Sequence, residues 1–223
     1  MRAMAMISIC ITVKNRSRLT INGRELRLLP NCIEAIAGCV KPEDHVELVI
    51  SDWRSDDWPL TEWAAEAARP IPLKLVTVEG YFSRGRGLNV AFDHAQGDVL
   101  LFLDTDILIC REVIDVGLQC VAAGKAFYPV YYHYDNPDHT SGKWFPSSYG
   151  NVMVAREHFL EAGRWPELKT WGREDNQLHD ALRKLLPIVR QVMPRMVHQW
   201  HPDGFAWKNR YADPQYGETR GAR

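Results

Sequence analysis

Apolar runs alternate with helix-like spacings over the first 130 residues of the chain. Ile7–Val13 is apolar and rich in β-branched residues, as expected of a strand buried on both faces. Strands are predicted at Ile7–Val13, 46–50, 73–78 and Val99–Leu103, and helices at 28–40, 60–68, 88–95 and 113–123. This alternation predicts an α/β fold with a largely parallel sheet and helices on both faces.

The pattern changes after residue 128. Residues 128–149 combine many aromatic side chains with Asn, Pro, Asp and Gly, and they predict a long loop. Further on, the pattern predicts a strand at Val152–Ala155, helices at 156–162 and 174–186, and a β-like run at 188–200 broken by Pro194. The polar residues 203–223 predict a loosely ordered tail or lid.

Composition and charge narrow the class of protein. The chain has 223 residues, 46% of them apolar and 25% charged, which is typical of one globular domain and rules out disorder as the main state. The net charge of −1 argues against nucleic acid or an anionic membrane as the main partner, although a nucleic-acid acceptor stays open. Five cysteines without a C-x-x-C pair indicate free thiols in a reducing compartment.

The apolar run at residues 3–13 is expected to be a strand and not a targeting signal. One arginine precedes the run, but the run lacks a small-residue cleavage site and is followed directly by Lys14 and Arg16, whereas a signal peptide carries its charge in front. The run is also too short to span a membrane. We therefore expect a cytoplasmic protein with no transmembrane segment.

Two carboxylates, Asp104 and Asp106, interrupt an otherwise apolar strand at residues 98–109. Burial of an unpaired carboxylate is costly, so a partner must compensate it. At the C-terminal end of a parallel strand, both would face the crevice in which α/β folds bind ligands. Their spacing puts them on one side of an extended chain, which suits Mg²⁺ or Mn²⁺. A pair of turn or N-cap aspartates is the alternative.

Glu174 and Asp175 open the predicted helix at 174–186. Acidic residues in a first helical turn are stabilised by the helix dipole without any catalytic role. In the functional interpretation, one of them is a general base that takes a proton from an acceptor hydroxyl. On this segment alone, the dipole explanation is favoured.

Two histidines, His198 and His201, follow the last apolar run. Three residues apart in a strand, they would lie on opposite faces, so without a turn between them we expect at most one of them at any single metal ion. A core or surface histidine is the alternative for each.

Two arginines, Arg84 and Arg86, precede the helix predicted at 88–95 and are separated by glycines. Arginines near a helix N-terminus suit a phosphate group, and a solvated basic turn is equally compatible with the pattern. The G-x-G spacing is too short a match for a dinucleotide fingerprint.

Together, these segments resemble a family-2-type glycosyltransferase of the GT-A fold. The resemblance is strongest to the branch of the β-1,4-galactosyltransferases and the galactosyltransferase-like domains of chondroitin-type polymerases, and it covers residues 6–202. The matching residues, in chain order, are Phe82, Arg84, Leu88, Asn89 and Val90; Asp104 and Asp106; 149–152; Phe159; 163–166; Trp171, Gly172, Glu174 and Asp175; and His198. The resemblance implies a single domain over 1–202, with a Rossmann-like, mostly parallel sheet and a short antiparallel C-terminal part. Residues 1–110 would be the nucleotide-binding half and 111–202 the acceptor-binding half.

The resemblance also implies an activity and a cofactor. A metal-dependent inverting transferase would move a sugar from a nucleotide-sugar, a UDP-sugar, to a hydroxyl of a glycan or another acceptor. Mn²⁺ or Mg²⁺ would be held by Asp106, Asp104 and His198, with His201 as the alternative to His198.

The same resemblance implies residue roles around the donor and the acceptor. Asp175 would be the base that activates the acceptor hydroxyl, and Glu174 and Trp171 would bind the acceptor. The residues expected to hold the nucleotide-sugar are Thr12, Lys14, Asn15, Arg16, Asp52, Arg84 and Asp104.

Two other classes of protein compete with this interpretation. A degenerate transferase would bind a sugar or a nucleotide without transferring it. A haloacid-dehalogenase-like phosphatase also carries D-x-D, but normally at the end of its first core strand. Here the motif follows three α/β units, and Leu108 stands where that class has threonine or valine.

Overall fold

The computed structural model describes residues 5–169 and 172–202, in which nine strands form one sheet. The strands are β1 (Ile7–Val13), β2 (Leu19–Ile21), β3 (Arg24–Leu26), β4 (Val46–Asp52), β5 (Leu73–Thr77), β6 (Val99–Leu103), β7 (Ile107–Leu108), β8 (Ala126–Tyr134), β9 (Gly142–Trp144), β10 (Val152–Ala155) and β11 (Ile188–His198). The helices are α1 (Leu28–Cys39), α2 (Ala64–Ala67), α3 (Arg84–His94), α4 (Arg111–Ala122), α5 (Arg156–Glu161) and α6 (Glu174–Leu182). Strands β2 and β3 form a separate hairpin.

The strand order is β5-β4-β1-β6-β10-β8-β11-β7, with β9 added beside β8. β5, β4, β1 and β6 are parallel to one another, as are β8 and β11. β10 runs antiparallel to β6 and β8, and β7 and β9 are antiparallel additions. The predicted α/β class, mostly parallel with an antiparallel C-terminal part, is confirmed.

Both faces of the sheet are buried. Side chains alternate between the two faces along each central strand, and helices pack against each face. Ile9 of β1 pairs with Leu48 and Leu101 and packs in a core with α1, α2 and α4. The next residue, Cys10, belongs to the opposite core, with α3, α5 and α6. Two-sided burial is the reason that the central strands have few polar residues.

The prediction of a long loop at 128–149 is wrong. Its first part belongs to β8, and residues 142–144 pair back onto that strand as β9. Aromatic residues favour strands, and here they meet across the hairpin: Tyr132 and Trp144 are register partners with ring centroids 5.2 Å apart.

Several element boundaries also differ from the prediction, among them the end of α6, which is predicted at 186 and lies at Leu182. The helix predicted at 60–68 is a 3-10 turn, Leu60–Glu62, followed by the short α2. Helix α3 begins at Arg84, because the Ser83 hydroxyl caps it by accepting from the amide of Arg86. β11 continues past Pro194, and its register to β8 shifts between Val192 and Val197, which accommodates a residue without an N–H donor.

Several predictions concern residues or boundaries that these observations leave open. The tail or lid at 203–223 and the acceptor residue Trp171 lie outside the described residues. The division into a nucleotide half and an acceptor half stays a prediction.

All five cysteines are free thiols. In residues 5–169 and 172–202, no helix is both long enough and apolar enough to cross a bilayer.

Candidate active site

The candidate site residues gather where β1, β4, β6, β8 and β11 end. Asp104 and Asp106 follow β6, and His198 is the last residue of β11. Arg84 and Glu174 are the first residues of α3 and α6. The carboxyl ends of the parallel strands thus carry the polar residues, as in other open α/β sheets.

Asp106, His198 and His201 form the metal-ligand cluster. Nε2 of His198 lies 3.6 Å from Asp106 Oδ1, and Nε2 of His201 lies 3.3 Å from Asp106 Oδ2. One donor atom from each residue lies within 4.8 Å of those of the other two. The expectation that the two histidines would lie on opposite faces is wrong, because β11 ends at His198 and the alternation of the strand does not extend to His201. The amide of Gln199 donates to the Asp106 carbonyl at 2.8 Å and holds this segment against the aspartate.

The protonation states of the metal-ligand cluster suit a cation. Burial opposes the charge of Asp106, but contacts with His198 and His201 hold the pKa of its carboxyl well below the usual range. Burial lowers the pKa of His198, partly offset by Asp106, which favours the neutral imidazole. An ionised carboxylate with a neutral imidazole is the form in which these groups bind metals. Two imidazole donors favour a transition-metal ion over Mg²⁺, which prefers oxygen ligands.

The structure does not bring Asp104 into this cluster. Residues 104–106 form a turn and not the extended chain expected from the sequence, with the amide of Ile107 donating to the Asp104 carbonyl at 3.4 Å. Asp104 Oδ1 accepts from Arg84 Nε at 2.8 Å, and the Asp104 amide donates to Asn151 Oδ1 at 2.9 Å. The two aspartates therefore face different partners.

Glu174 and Asp175 differ in environment although they are adjacent. The Glu174 side chain is 10% exposed and lies 3.6 Å from Arg84 Nη1, whereas Asp175 is half-buried. Burial raises the pKa of Glu174, and the charge of Arg84 partly opposes that rise. Asp175 Oδ1 accepts from the amide of Asn176 at 2.9 Å. Both residues occupy the first turn of α6, where the helix dipole stabilises a negative charge whether or not the residue has a catalytic role.

A cavity of about 380 Å³ opens at the same edge of the sheet, between the loops that follow β1, β4 and β5. Its lining residues are Lys14, Asn15, Trp53, Arg54, Asp56, Val78, Glu79 and Gly80. The loops are joined directly, since the amide of Asp56 donates to Asn15 Oδ1 at 2.9 Å and the Asn15 amide donates to Ser55 Oγ at 2.9 Å.

Only Lys14 and Asn15 of the predicted nucleotide residues line this cavity. Thr12 is buried behind it and accepts from Trp53 Nε1 at 2.9 Å, Arg16 is 1% exposed, and Asp52 caps its own turn by accepting from the Ser55 amide at 3.0 Å. The residues missed by sequence reasoning are Trp53, Arg54, Asp56, Val78, Glu79 and Gly80. Their position directly after β4 and β5 was the available signal, because parallel strands end at one edge of a sheet.

The comparison with protein families agrees with this geometry. The model of glycosyl transferase family 2 matches residues 8–180, so the chain belongs to glycosyl transferase family 2. The phosphatase alternative fails because the D-x-D turn follows β6 and not the first strand, within a fold that matches glycosyltransferases.

Among curated proteins, the chain is similar to chondroitin glycosyltransferases. It is 32% identical to chondroitin sulfate N-acetylgalactosaminyltransferase 2 of Mus musculus, over 57% of this chain and 28% of that protein. It is 26% identical to chondroitin sulfate synthase 3 of Homo sapiens, over 74% of this chain and 22% of that protein. The chain thus corresponds to less than a third of the length of these relatives.

Solved structures share the GT-A fold at low sequence identity. S. aureus TarS 1–349 in complex with UDP-GlcNAc matches with a TM-score of 0.67 and 15% identity, over 88% of this chain and 59% of that chain. The mannosyltransferase PcManGT from Pyrobaculum calidifontis, in complex with GDP-Man and Mn²⁺, matches with a TM-score of 0.67 and 18% identity, over 94% of this chain and 61% of that chain.

Proposed function

We propose that this chain is a metal-dependent inverting glycosyltransferase that moves a sugar from a UDP-sugar to an acceptor hydroxyl, with a glycan as the favoured acceptor. The observation that carries the proposal is the metal-ligand cluster at the same sheet edge as the 380 Å³ cavity. Membership in glycosyl transferase family 2 supports sugar transfer. Structural neighbours with UDP-GlcNAc, or with GDP-Man and Mn²⁺, support a nucleotide-sugar donor.

The donor side of the reaction is assigned to the loops after β1, β4 and β5. Lys14 and Asn15 line the cavity beside Trp53, which is 3% exposed and packs against Phe82. Thr12, Arg16 and Asp52 support these loops from behind, and Asp104 is assigned to a hydroxyl of the donor. Asp106, His198 and His201 would hold Mn²⁺. When bound, the ion stabilises the negative charge that grows on the diphosphate leaving group.

The acceptor side is assigned to the first turn of α6. Asp175, the more exposed of the two acids, takes the proton of the acceptor hydroxyl, while the buried Glu174 binds the acceptor with Trp171. The acceptor oxygen forms its bond to the anomeric carbon as the bond to the diphosphate oxygen breaks, and that oxygen keeps the electron pair. A displacement from the opposite face of the sugar inverts the anomeric carbon. A cytoplasmic location stays a prediction from the cysteine pattern.

Calorimetric titration with UDP in Mn²⁺ and in EDTA tests the site. We expect Mn²⁺-dependent UDP binding that Asp106→Ala removes and His94→Ala, a histidine at the far end of α3, retains. Absence of UDP and GDP binding under every metal would refute the intact donor site. Asp175→Asn distinguishes a transferase from a degenerate binding module. In a transferase it should abolish transfer from UDP-GlcNAc or UDP-GalNAc but spare UDP binding, whereas a degenerate binding module has no transfer activity to lose.

A further inference from the structure

One buried cation, Arg84, lies between carboxylates from two separate segments of the candidate site. We propose that Arg84 is a positioning residue, which fixes Glu174 on the acceptor side relative to Asp104 on the donor side. This inference rests on the proposed function for its catalytic consequence, but its structural basis can be tested without any substrate.

Each nitrogen-bearing arm of the Arg84 guanidinium meets a different part of the chain. Nε donates to Asp104 Oδ1 at 2.8 Å, and Nη2 donates to the Gly150 carbonyl at 2.7 Å. Nη1 lies 3.6 Å from Glu174 Oε1. Because the guanidinium is planar and rigid, fixing two of its arms also fixes the direction of the third.

The surroundings leave this guanidinium little freedom to move. Its side chain is 13% exposed and lies over the Trp165 ring, at 4.8 Å from the centroid. A β-carbon at Gly150 would lie 2.6 Å from Asp104 Oδ2 and 3.2 Å from Arg84 Nη2, so only glycine allows this close approach. Nη1 makes no hydrogen bond within the described residues, so the expectation that Arg84 lies near the diphosphate stays a prediction.

The charges make the link between the two carboxylates strong. Burial alone would lower the pKa of Arg84, but the charges of Asp104 and Glu174 outweigh it and raise that pKa, so the group stays cationic. Glu174 Oε2 is buried and has no hydrogen-bond partner within the described part of the chain. With Oε1 facing Arg84, Oε2 is left to accept a hydrogen bond from a bound hydroxyl. Without Arg84, the buried carboxylate of Glu174 and the partly exposed carboxylate of Asp104 would lose their shared cation.

Kinetics with a matched control test the positioning role. Arg156 is the control: Nε and Nη2 donate to the carbonyls of Gly97 and Ala95, both at 2.8 Å, and the group lies 4.7 Å from the Phe92 centroid. We expect Arg84→Lys to lower kcat for UDP release from UDP-GalNAc or UDP-GlcNAc by about 10- to 100-fold, the range for residues that orient active-site groups. The Kd of UDP with Mn²⁺ should change less than about threefold, and Arg156→Lys should leave kcat within about twofold.

Chemical rescue by free guanidinium distinguishes a positioning role from a merely structural role, because free guanidinium would not restore kcat if Arg84 were only structural. Millimolar guanidinium, well below denaturing concentrations, should restore part of the kcat of Arg84→Ala and none of any loss in Arg156→Ala. If the affinity for UDP with Mn²⁺ falls in proportion to kcat in Arg84→Lys, Arg84 contacts the donor and the positioning role is overturned.

Urea unfolding tests the link itself. Glu174→Gln should raise the midpoint little in the wild-type background, where Arg84 partly compensates the buried carboxylate. In the Arg84→Met background the same change should raise the midpoint more, because it removes an uncompensated buried charge. Equal effects in the two backgrounds would overturn the link. Failure of the wild-type protein to bind UDP would instead refute the proposed function, and this unfolding comparison would still decide the link.

Discussion

Gly87 lies where α3 crosses the end of β1, and its replacement by alanine is a sharp test of this packing. A β-carbon there would lie 1.9 Å from Thr12 Oγ1, 2.8 Å from Thr12 Cβ and 2.8 Å from Trp53 Nε1. Real side chains do not approach so closely, so α3 must shift or Thr12 and Trp53 must move. The Trp53 hydrogen bond to Thr12 would be lost, and Trp53 lines the cavity assigned to the nucleotide.

The expected magnitude follows from three terms. Overpacking a tight core contact costs about 1–3 kcal/mol. Loss of the buried hydrogen bond between Trp53 and Thr12 costs about 1 kcal/mol more. Alanine gains about 1 kcal/mol over glycine in helix propensity. The net destabilisation of Gly87→Ala is therefore about 1–3 kcal/mol, or a few degrees in Tm for a chain of this size.

Gly38→Ala is the matched control, because it also places alanine in a helix but meets nothing within 4 Å. We expect it to stabilise the protein by about 0.5–1 kcal/mol. Urea unfolding and calorimetric titration with UDP and Mn²⁺ measure both variants. The reasoning is refuted if Gly87→Ala is as stable as Gly38→Ala and binds UDP as the wild type does.

Two further predictions concern charge and thiols. Burial would raise the pKa of Asp44, but hydrogen bonds from Arg111 and from a backbone amide outweigh it and lower that pKa. Because the folded-state pKa of Asp44 is depressed, this ion pair stabilises the fold above the ordinary carboxyl pKa of about 4 and loses that effect as pH falls through the folded-state pKa. Acid unfolding of Asp44→Asn should therefore lack this part of the pH dependence. An acid-unfolding profile identical to that of the wild type would contradict this role of Asp44. Burial raises the pKa of both Cys10 and Cys120, but Cys10 is fully buried whereas Cys120 is partly exposed. N-ethylmaleimide should therefore modify Cys120 in the native protein well before Cys10, and peptide mass mapping measures both rates. Equal rates of modification would contradict the packing around Cys10.

Much of the sheet follows from local pattern. The predicted strands at Ile7–Val13, Val99–Leu103 and Val152–Ala155 have the bounds that the structure shows. Strands buried on both faces appear as continuous apolar runs, which few other elements imitate. The β8–β9 hairpin escaped this rule, because Tyr132, Tyr134 and Trp144 are partly or well exposed and lie near residues that favour turns.

The helix that carries Arg84 shows a second limit of local pattern. Gly85 and Gly87 weaken the helical signal, so the predicted start lay four residues too late. Both glycines are needed for close contacts with distant chain: a β-carbon at Gly85 would lie 2.0 Å from the Pro166 carbonyl oxygen. Their low propensity is outweighed by packing that no local window contains.

Residue types and their order along the chain were enough to predict the fold class, the family resemblance and part of the set of polar residues at the sheet edge. The grouping within that set required the folded chain. The turn after β6 sends Asp104 to Arg84 and Asp106 to the histidines, and the end of β11 brings His198 and His201 to one side. Side-chain direction depends on backbone turns and on neighbours far away in sequence, so spacing alone could not separate the metal-ligand cluster from the carboxylates that Arg84 joins.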